Sequence, residues 1–233
     1  MLPASVIRSI FFGTTLSSFR RLALFFSLSV CLFGIGEGRN LFTLPDELLK
    51  SVESQYGEFA KRRLLSWQAL IRDDSSTSDI EKLNKVNQFF NQVQFIADTI
   101  HWGKVDYWAT PVEFLSTGGG DCEDFSLAKY FTLKALGVAE SKLNMTYVKA
   151  LQLNQAHMVV TYYATPGAVP LVLDNLVADI QPATNRKDLI PVYSFNGSGL
   201  WLAKSRGKGQ KVGSSDRLKR WQDLLARMPD GMN

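Results

Sequence analysis

Gly118-Gly-Gly-Asp-Cys-Glu-Asp-Phe125 sets three glycines directly ahead of a cysteine flanked by acids. Glycine permits sharp turns and close backbone approach, so this run delivers Cys122 to the first turn of a helix. The helix is legible downstream, where Phe125, Ala128, Phe131, Ala135 and Leu136 recur at helical spacing before Gly137 ends the run. The partial positive charge of a helix start favours a thiolate and can bring a free thiol from a pKa of about 8.5 toward neutrality. Asp121 and Glu123 oppose this by repulsion unless a cation neutralises them. Asp121, Glu123 and Asp124 offer hard oxygen ligands, which suit calcium far better than zinc. The main-chain N–H of Cys122 is a natural oxyanion donor, and the indole of Trp102 or Trp108 is a candidate for a second.

Three strand-like runs follow: Met145 to Leu151, His157 to Tyr163 and Val169 to Leu173. Thr165-Pro-Gly-Ala separates the last two as a turn, which predicts an antiparallel hairpin. His157 opens its first strand and Asp174 follows its second. A turn centred near residue 167 sets the partner of His157 near position 177, within a bulge of Asp174. A carboxylate on one imidazole nitrogen fixes tautomer and ring, leaving the other nitrogen to take a proton from Cys122. His101, beside Trp102-Gly103, is the rival base. Each residue alone has a plainer reading: a lone cysteine as a small core hydrophobe, a strand-start histidine as structural, Asp174-Asn175 as a turn. The combination is the more specific signal.

Upstream, apolar residues at 48, 52, 56, 59, 64, 67 and 70/71 predict an amphipathic helix from Pro45 to Ile71. Ser78-Asp-Ile-Glu81 is a capping-box pattern opening a second helix through Ile80, Leu83, Val86, Phe90, Val93 and Ala97. Residues 101–120, rich in aromatics and turn formers, read as irregular backbone. Residues 204–215 read as a flexible linker before a short helix at 216–227, and no internal repeat is present. The fold class expected is α+β, with the N-terminal helices and the Cys-bearing helix packed on an antiparallel sheet. The helical stripes are assigned to the main core, with a partner-binding groove as the alternative.

With 233 residues, 45% hydrophobic and 21% charged, the chain is neither disordered nor of low complexity. Its net charge of +4 invites a nucleic-acid reading, but the charge sits at the ends. Residues 1–36 hold three arginines and no acid, and residues 204–233 hold eight basic and three acidic residues. That leaves 15 basic and 19 acidic residues in 37–203, so no nucleic-acid partner is expected. After Arg20-Arg21, an apolar run of 14 residues from Leu22 to Ile35 reads as a secretory leader, with an uncleaved anchor as the alternative. The organisation expected is a leader at 1–36, a catalytic domain at 37–203 and a basic linker with a short helix at 204–233. Cys31 lies in the leader, so Cys122 has no internal disulfide partner and the fold rests on packing.

Gly118 to Phe125, His157-Met-Val-Val and Leu171-Val-Leu-Asp-Asn175 together resemble the bacterial transglutaminase-like cysteine proteinases. The resemblance extends through Tyr107-Trp-Ala-Thr-Pro111 and Pro191-Val-Tyr-Ser-Phe-Asn-Gly197, covering about residues 75 to 203. It implies a papain-like, transglutaminase-like fold and a calcium-dependent periplasmic endopeptidase. The implied substrate is the N-terminal region of a large cell-surface adhesin, cut at a small-residue Ala-Ala type site, which releases the adhesin and disperses biofilm. The implied inhibitor is the periplasmic domain of an inner-membrane cyclic-di-GMP receptor. Carried over residue by residue, Cys122 is the nucleophile, His157 the general base and acid, and Asp174 the orienting carboxylate. Asp121 and Glu123 match the family's calcium-binding acids, with Asp124 a further ligand. The alternatives kept are a transglutaminase-type acyl transferase, which shares the thioester intermediate, and a catalytically silent calcium-dependent binding module.

Overall fold

A computed structural model describes residues 42–73, 78–202 and 209–229. The leader expected at 1–36 lies outside the described residues, as do residue 203 and positions 204–208 of the expected linker. Among the described residues no helix is long and apolar enough to cross a membrane.

The single helix expected from Pro45 to Ile71 is two: α1 (Asp46–Tyr56) and α2 (Glu58–Arg72). Gly57, at φ +84° and ψ 173°, breaks the run, a conformation that glycine adopts at little cost. The break re-phases the stripe. Leu49, Val52, Ala60, Leu64, Trp67 and Ile71 are buried, whereas Tyr56 and Phe59, which flank the break, are exposed. α3 (Asp79–Phe90) starts where expected, with Ser78 Oγ accepting from the Glu81 N–H and Glu81 Oε2 accepting from the Ser78 N–H. It stops at Phe90, short of Ala97, and buries Leu83, Val86 and Phe90.

Short ordered pieces precede and enter the stretch, 101–120, expected to be irregular. β1 (Gln94–Phe95) is followed by α4 (Asp98–His101), α5 (Pro111–Thr117) and β2 (Gly119–Gly120), which pairs in parallel with β1. α5 forms because Thr110 and Glu113 make a second capping box around Pro111, whose missing N–H costs nothing in a first turn. α6 (Cys122–Ala135) then runs through the middle of the molecule, buried on almost every side. Trp67 of α2 donates its indole N–H to Thr132 of α6 at 2.7 Å, and Phe114 of α5 packs edge-on against Phe125 at 4.9 Å. Burying side chains of this size stabilises the fold by about 1.5–3 kcal/mol each.

The remaining chain forms β3 (Leu143–Ala150), β4 (Gln155–Tyr162), β5 (Leu171–Leu173), β6 (Gln181–Pro182), β7 (Leu189–Asn196), β8 (Gly199–Leu202) and β9 (Lys211–Gly213). They make one antiparallel sheet in the order β6-β5-β4-β3-β7-β8-β9. α6 packs on β4 and β3, while α3 and α5 cover α6. The expected hairpin is present: Val160 pairs with Leu173 and Tyr162 with Leu171. β9 corrects part of the linker reading, because Lys211 to Gly213 pairs with β8. The last helix, α7 (Lys219–Leu225), is shorter than 216–227 and buries Trp221 and Leu224 in the main core.

Candidate active site

Each glycine ahead of Cys122 has its own task. Gly118, at φ +76°, is the left-handed cap that ends α5. Gly119 packs so closely that a Cβ there would lie 2.5 Å from Ile96 Cδ1, and a Cβ on Gly120 would strike Asp124 Oδ2. The chain can therefore double back tightly enough to start α6 with Asp121 as its cap. Asp121 Oδ1 accepts from the Glu123 N–H at 3.3 Å, and Asp124 Oδ2 accepts from the Asp121 N–H at 3.2 Å. Asp124 Oδ1 also accepts from the Ala109 N–H at 2.7 Å, which ties the aromatic stretch to the helix start.

Cys122 is buried at this helix start, beside the Met158 main-chain N–H of β4, one residue after His157. Its thiol donates to Glu123 Oε2 at 2.7 Å, not to an imidazole, and Glu123 Oε1 accepts from Tyr147 Oη at 3.0 Å. Burial and the adjacent charges of Glu123 and Asp121 push the thiol pKa up, against the pull of the helix end.

His157 and Asp174 are brought together as expected: Nε2 lies 2.8 Å from Asp174 Oδ1, with both side chains buried. Continuing the β4–β5 register would set His157 opposite Leu176, but β5 ends at Leu173 and the chain turns, so Asp174 comes back to the ring. The Leu176 N–H donates to Oδ1 at 3.0 Å and Arg186 Nη2 to Oδ2 at 2.7 Å. Burial raises the Asp174 pKa, but the His157, Leu176 and Arg186 hydrogen bonds outweigh it and hold the carboxyl at about 2. With Nε2 committed to Asp174, Nδ1 is the imidazole nitrogen left for chemistry. The rival, His101, bonds Thr117 Oγ1 at 2.9 Å and packs edge-on against Trp102, without a carboxylate partner among the described contacts. Trp102 Nε1 and Trp108 Nε1 are both buried without a hydrogen-bond partner, and the Trp108 ring is stacked on Phe195 at 5.6 Å.

The acids beside Cys122 form a denser cluster than the sequence reveals. Carboxylate oxygens of Asp98, Asp121 and Asp124 lie within 4.8 Å of one another, and ligand atoms of Asp121, Cys122 and Glu123 form an overlapping set. Asp98 was missed, because nothing in the pattern of 94–101 says that the fold returns α4 to the start of α6. Its Oδ2 accepts from the Tyr107 N–H, whereas its Oδ1 is buried with no partner. Burial, followed by the Glu123 charge, pushes Asp121 up to about 9. Burial also carries Asp124 to about 8, assisted by the Asp98 and Glu123 charges. A group of carboxylates this short of positive charge, with an orphaned buried oxygen, fits an oxygen-seeking cation.

The chain belongs to the bacterial transglutaminase-like cysteine proteinases, whose family profile matches residues 58–201. Among solved structures it is similar to LapG of Legionella pneumophila. The EGTA-treated form is 45% identical, covering 80% of this chain and 96% of that one at a TM-score of 0.69. The calcium-bound form is also 45% identical, covering 78% and 97% of the two chains at a TM-score of 0.67. A further LapG structure is 44% identical with a TM-score of 0.68. No curated protein matches the chain at a significant level. Membership makes the chain a cysteine proteinase by family, and the α+β arrangement expected from the sequence is the one found.

Proposed function

We propose that this protein is a calcium-dependent periplasmic cysteine endopeptidase that cuts the N-terminal region of a large cell-surface adhesin, freeing it and dispersing biofilm. The observation that carries the reading is the buried His157–Asp174 pair on β4, the strand against which the Cys122 helix packs, with Ser126 Oγ donating to the Met158 carbonyl at 2.9 Å. Cys122 Sγ attacks the scissile carbonyl carbon while His157 takes the thiol proton through Nδ1. The Cys122 main-chain N–H faces the oxygen that gains charge. His157 returns the proton to the leaving amine, which departs as the C–N bond breaks and an acyl-thioester remains. Water, deprotonated by His157, attacks the thioester; the C–S bond breaks and a carboxylate product leaves. Asp174 fixes the ring and stabilises the imidazolium throughout.

Asp98, Asp121, Glu123 and Asp124 are the residues that would hold calcium. The bound ion would supply positive charge that offsets the carboxylates beside the thiol. The calcium-bound state of the LapG relative supports this choice of metal. In this reading the periplasmic domain of a cyclic-di-GMP receptor is the inhibitor. Residues 1–36 serve for export.

The test is incubation of a recombinant N-terminal adhesin fragment with wild type and with Cys122→Ala, in calcium and in EGTA, with and without a primary amine. Wild type in calcium is expected to give two discrete fragments, with EGTA and Cys122→Ala each lowering the rate at least about 10³-fold. Equal cleavage by Cys122→Ala rejects the mechanism. Amine incorporation without cleavage assigns the protein to acyl transfer instead.

A further inference from the structure

Arg186 lies on the loop between β6 and β7, outside every motif that the sequence singles out, yet only 5% of it is exposed. Its Nη2 reaches Asp174 Oδ2 at 2.7 Å and Asp188 Oδ2 at 2.7 Å, while Nε reaches Asp188 Oδ1 at 3.0 Å. Asp188 thus grips the guanidinium edge, and the guanidinium in turn grips the oxygen of Asp174 that faces away from His157.

A carboxylate at a chain turn can rotate about its terminal bond, presenting either oxygen or neither to the ring. Leu176 N–H and His157 share Oδ1, and neither contact restrains Oδ2. Arg186 supplies that restraint. Without it, Asp174 would be a buried carboxylate short of one charged partner, and such a group turns or takes up a proton. A protonated or turned Asp174 no longer accepts from Nε2, and the imidazole loses its reason to leave Nδ1 unprotonated.

We infer that Arg186 is a positioning residue of the active site, which locks Asp174 so that His157 holds its proton on Nε2 and presents a bare Nδ1 to Cys122. The inference rests on the triad reading of the proposed function. Asp188 serves to aim Arg186 and is dispensable as long as Arg186 remains charged and buried.

The plainer role, pinning the loop around residue 186, makes different demands. If Arg186 only pins the loop, breaking either end of its ion-pair chain acts alike. If it positions Asp174, the two ends differ. The experiment compares Arg186→Met, Arg186→Lys and Asp188→Asn, with melting temperatures as a control for folding. Cleavage kinetics give kcat and KM. Imidazole ¹⁵N shifts give the neutral His157 tautomer, measured in a Cys122→Ala background, where the chain's two histidines are readily assigned.

Arg186→Met is expected to lower kcat by about 10²-fold with KM little changed, Arg186→Lys to recover most of that, and Asp188→Asn to stay within about threefold of wild type. The tautomer is expected to be Nε2–H with arginine or lysine at 186 and to shift toward Nδ1–H with methionine. An unchanged tautomer in Arg186→Met, or an Asp188→Asn loss as large as that of Arg186→Met, overturns the inference. Because the tautomer is read without turnover, a wild type that cleaves nothing would fail the proposed function while leaving Arg186 to be judged by its own signal.

Discussion

Asp121 and Asp124 answer to two demands that conflict. As caps they must sit at the start of α6 and accept main-chain hydrogens. Burial first, and then the charges of Asp98 and Glu123, raises their cost of ionisation, with folded values of about 9 and 8 against an ordinary 3.8. The sign of the linkage follows: between pH 4 and 8 the chelated folded protein holds protons that the unfolded chain has released, so stability falls as pH rises. Asp174, held at about 2, acts only below pH 4, and Lys129, lowered to about 7 by burial, acts mainly above pH 7. The imidazole of His101, lowered by burial, opposes the acids near neutrality but is one group against several. In EGTA the melting temperature is therefore expected to fall by several degrees between pH 5 and pH 7. Saturating calcium should remove that slope. Scanning calorimetry checks both, and a flat or rising trend in EGTA would contradict the carboxylate cluster.

At the scale of elements, the path from α5 through Gly119 and Gly120 into α6 positions Cys122, and it leaves no room for side chains. Gly120→Ala forces its methyl against Asp124 and Phe114, the latter at 2.8 Å. Overpacking of this kind costs about 1–3 kcal/mol, to be measured by urea denaturation. Calcium affinity should weaken in parallel, because Asp124 is the residue displaced. A second tie runs behind the site: Lys129, two turns along α6 from Cys122, donates to Asn91 Oδ1 at 2.7 Å, and Asn91 Nδ2 donates to the Asp174 carbonyl at 2.9 Å. The helix of the cysteine and the loop of the aspartate are thereby joined through one asparagine. Local signals made much of this legible in the sequence. Ser78 and Glu81 announced α3, and the Thr165 to Ala168 turn announced the hairpin that carries His157. Thr110-Pro-Val-Glu113 carried an equally local signal for α5, masked by the aromatic and glycine-rich composition around it. Asp98, Arg186 and Asn91 were not legible, since each reaches the site through tertiary return of the chain rather than through its own sequence neighbours.

At the scale of the molecule, two arginines of the basic C-terminal segment reach acids elsewhere in the chain. Arg227 bonds Trp108 O and Tyr107 Oη, each at 2.6 Å, and pairs with Glu113, while Arg220 pairs with Asp106 at 3.0 Å. Trp221 stacks on Phe131 of the Cys-bearing helix at 5.5 Å. These two arginines and Trp221 brace the aromatic stretch that Asp124 ties to the start of α6. The fold packs α6 against the β4–β5 hairpin, and the proposed mechanism needs that meeting to bring sulfur, imidazole and carboxylate to one point. The rate of Cys122 alkylation by iodoacetamide as a function of pH, located by peptide mass, tests that meeting most directly in wild type and His157→Ala. In calcium, wild type is expected to label rapidly down to about pH 6, well below the ordinary thiol range, and His157→Ala to label only above the free-thiol range of about pH 8.5, because burial still opposes the thiolate. Identical profiles for the two proteins would contradict the pairing of Cys122 with His157.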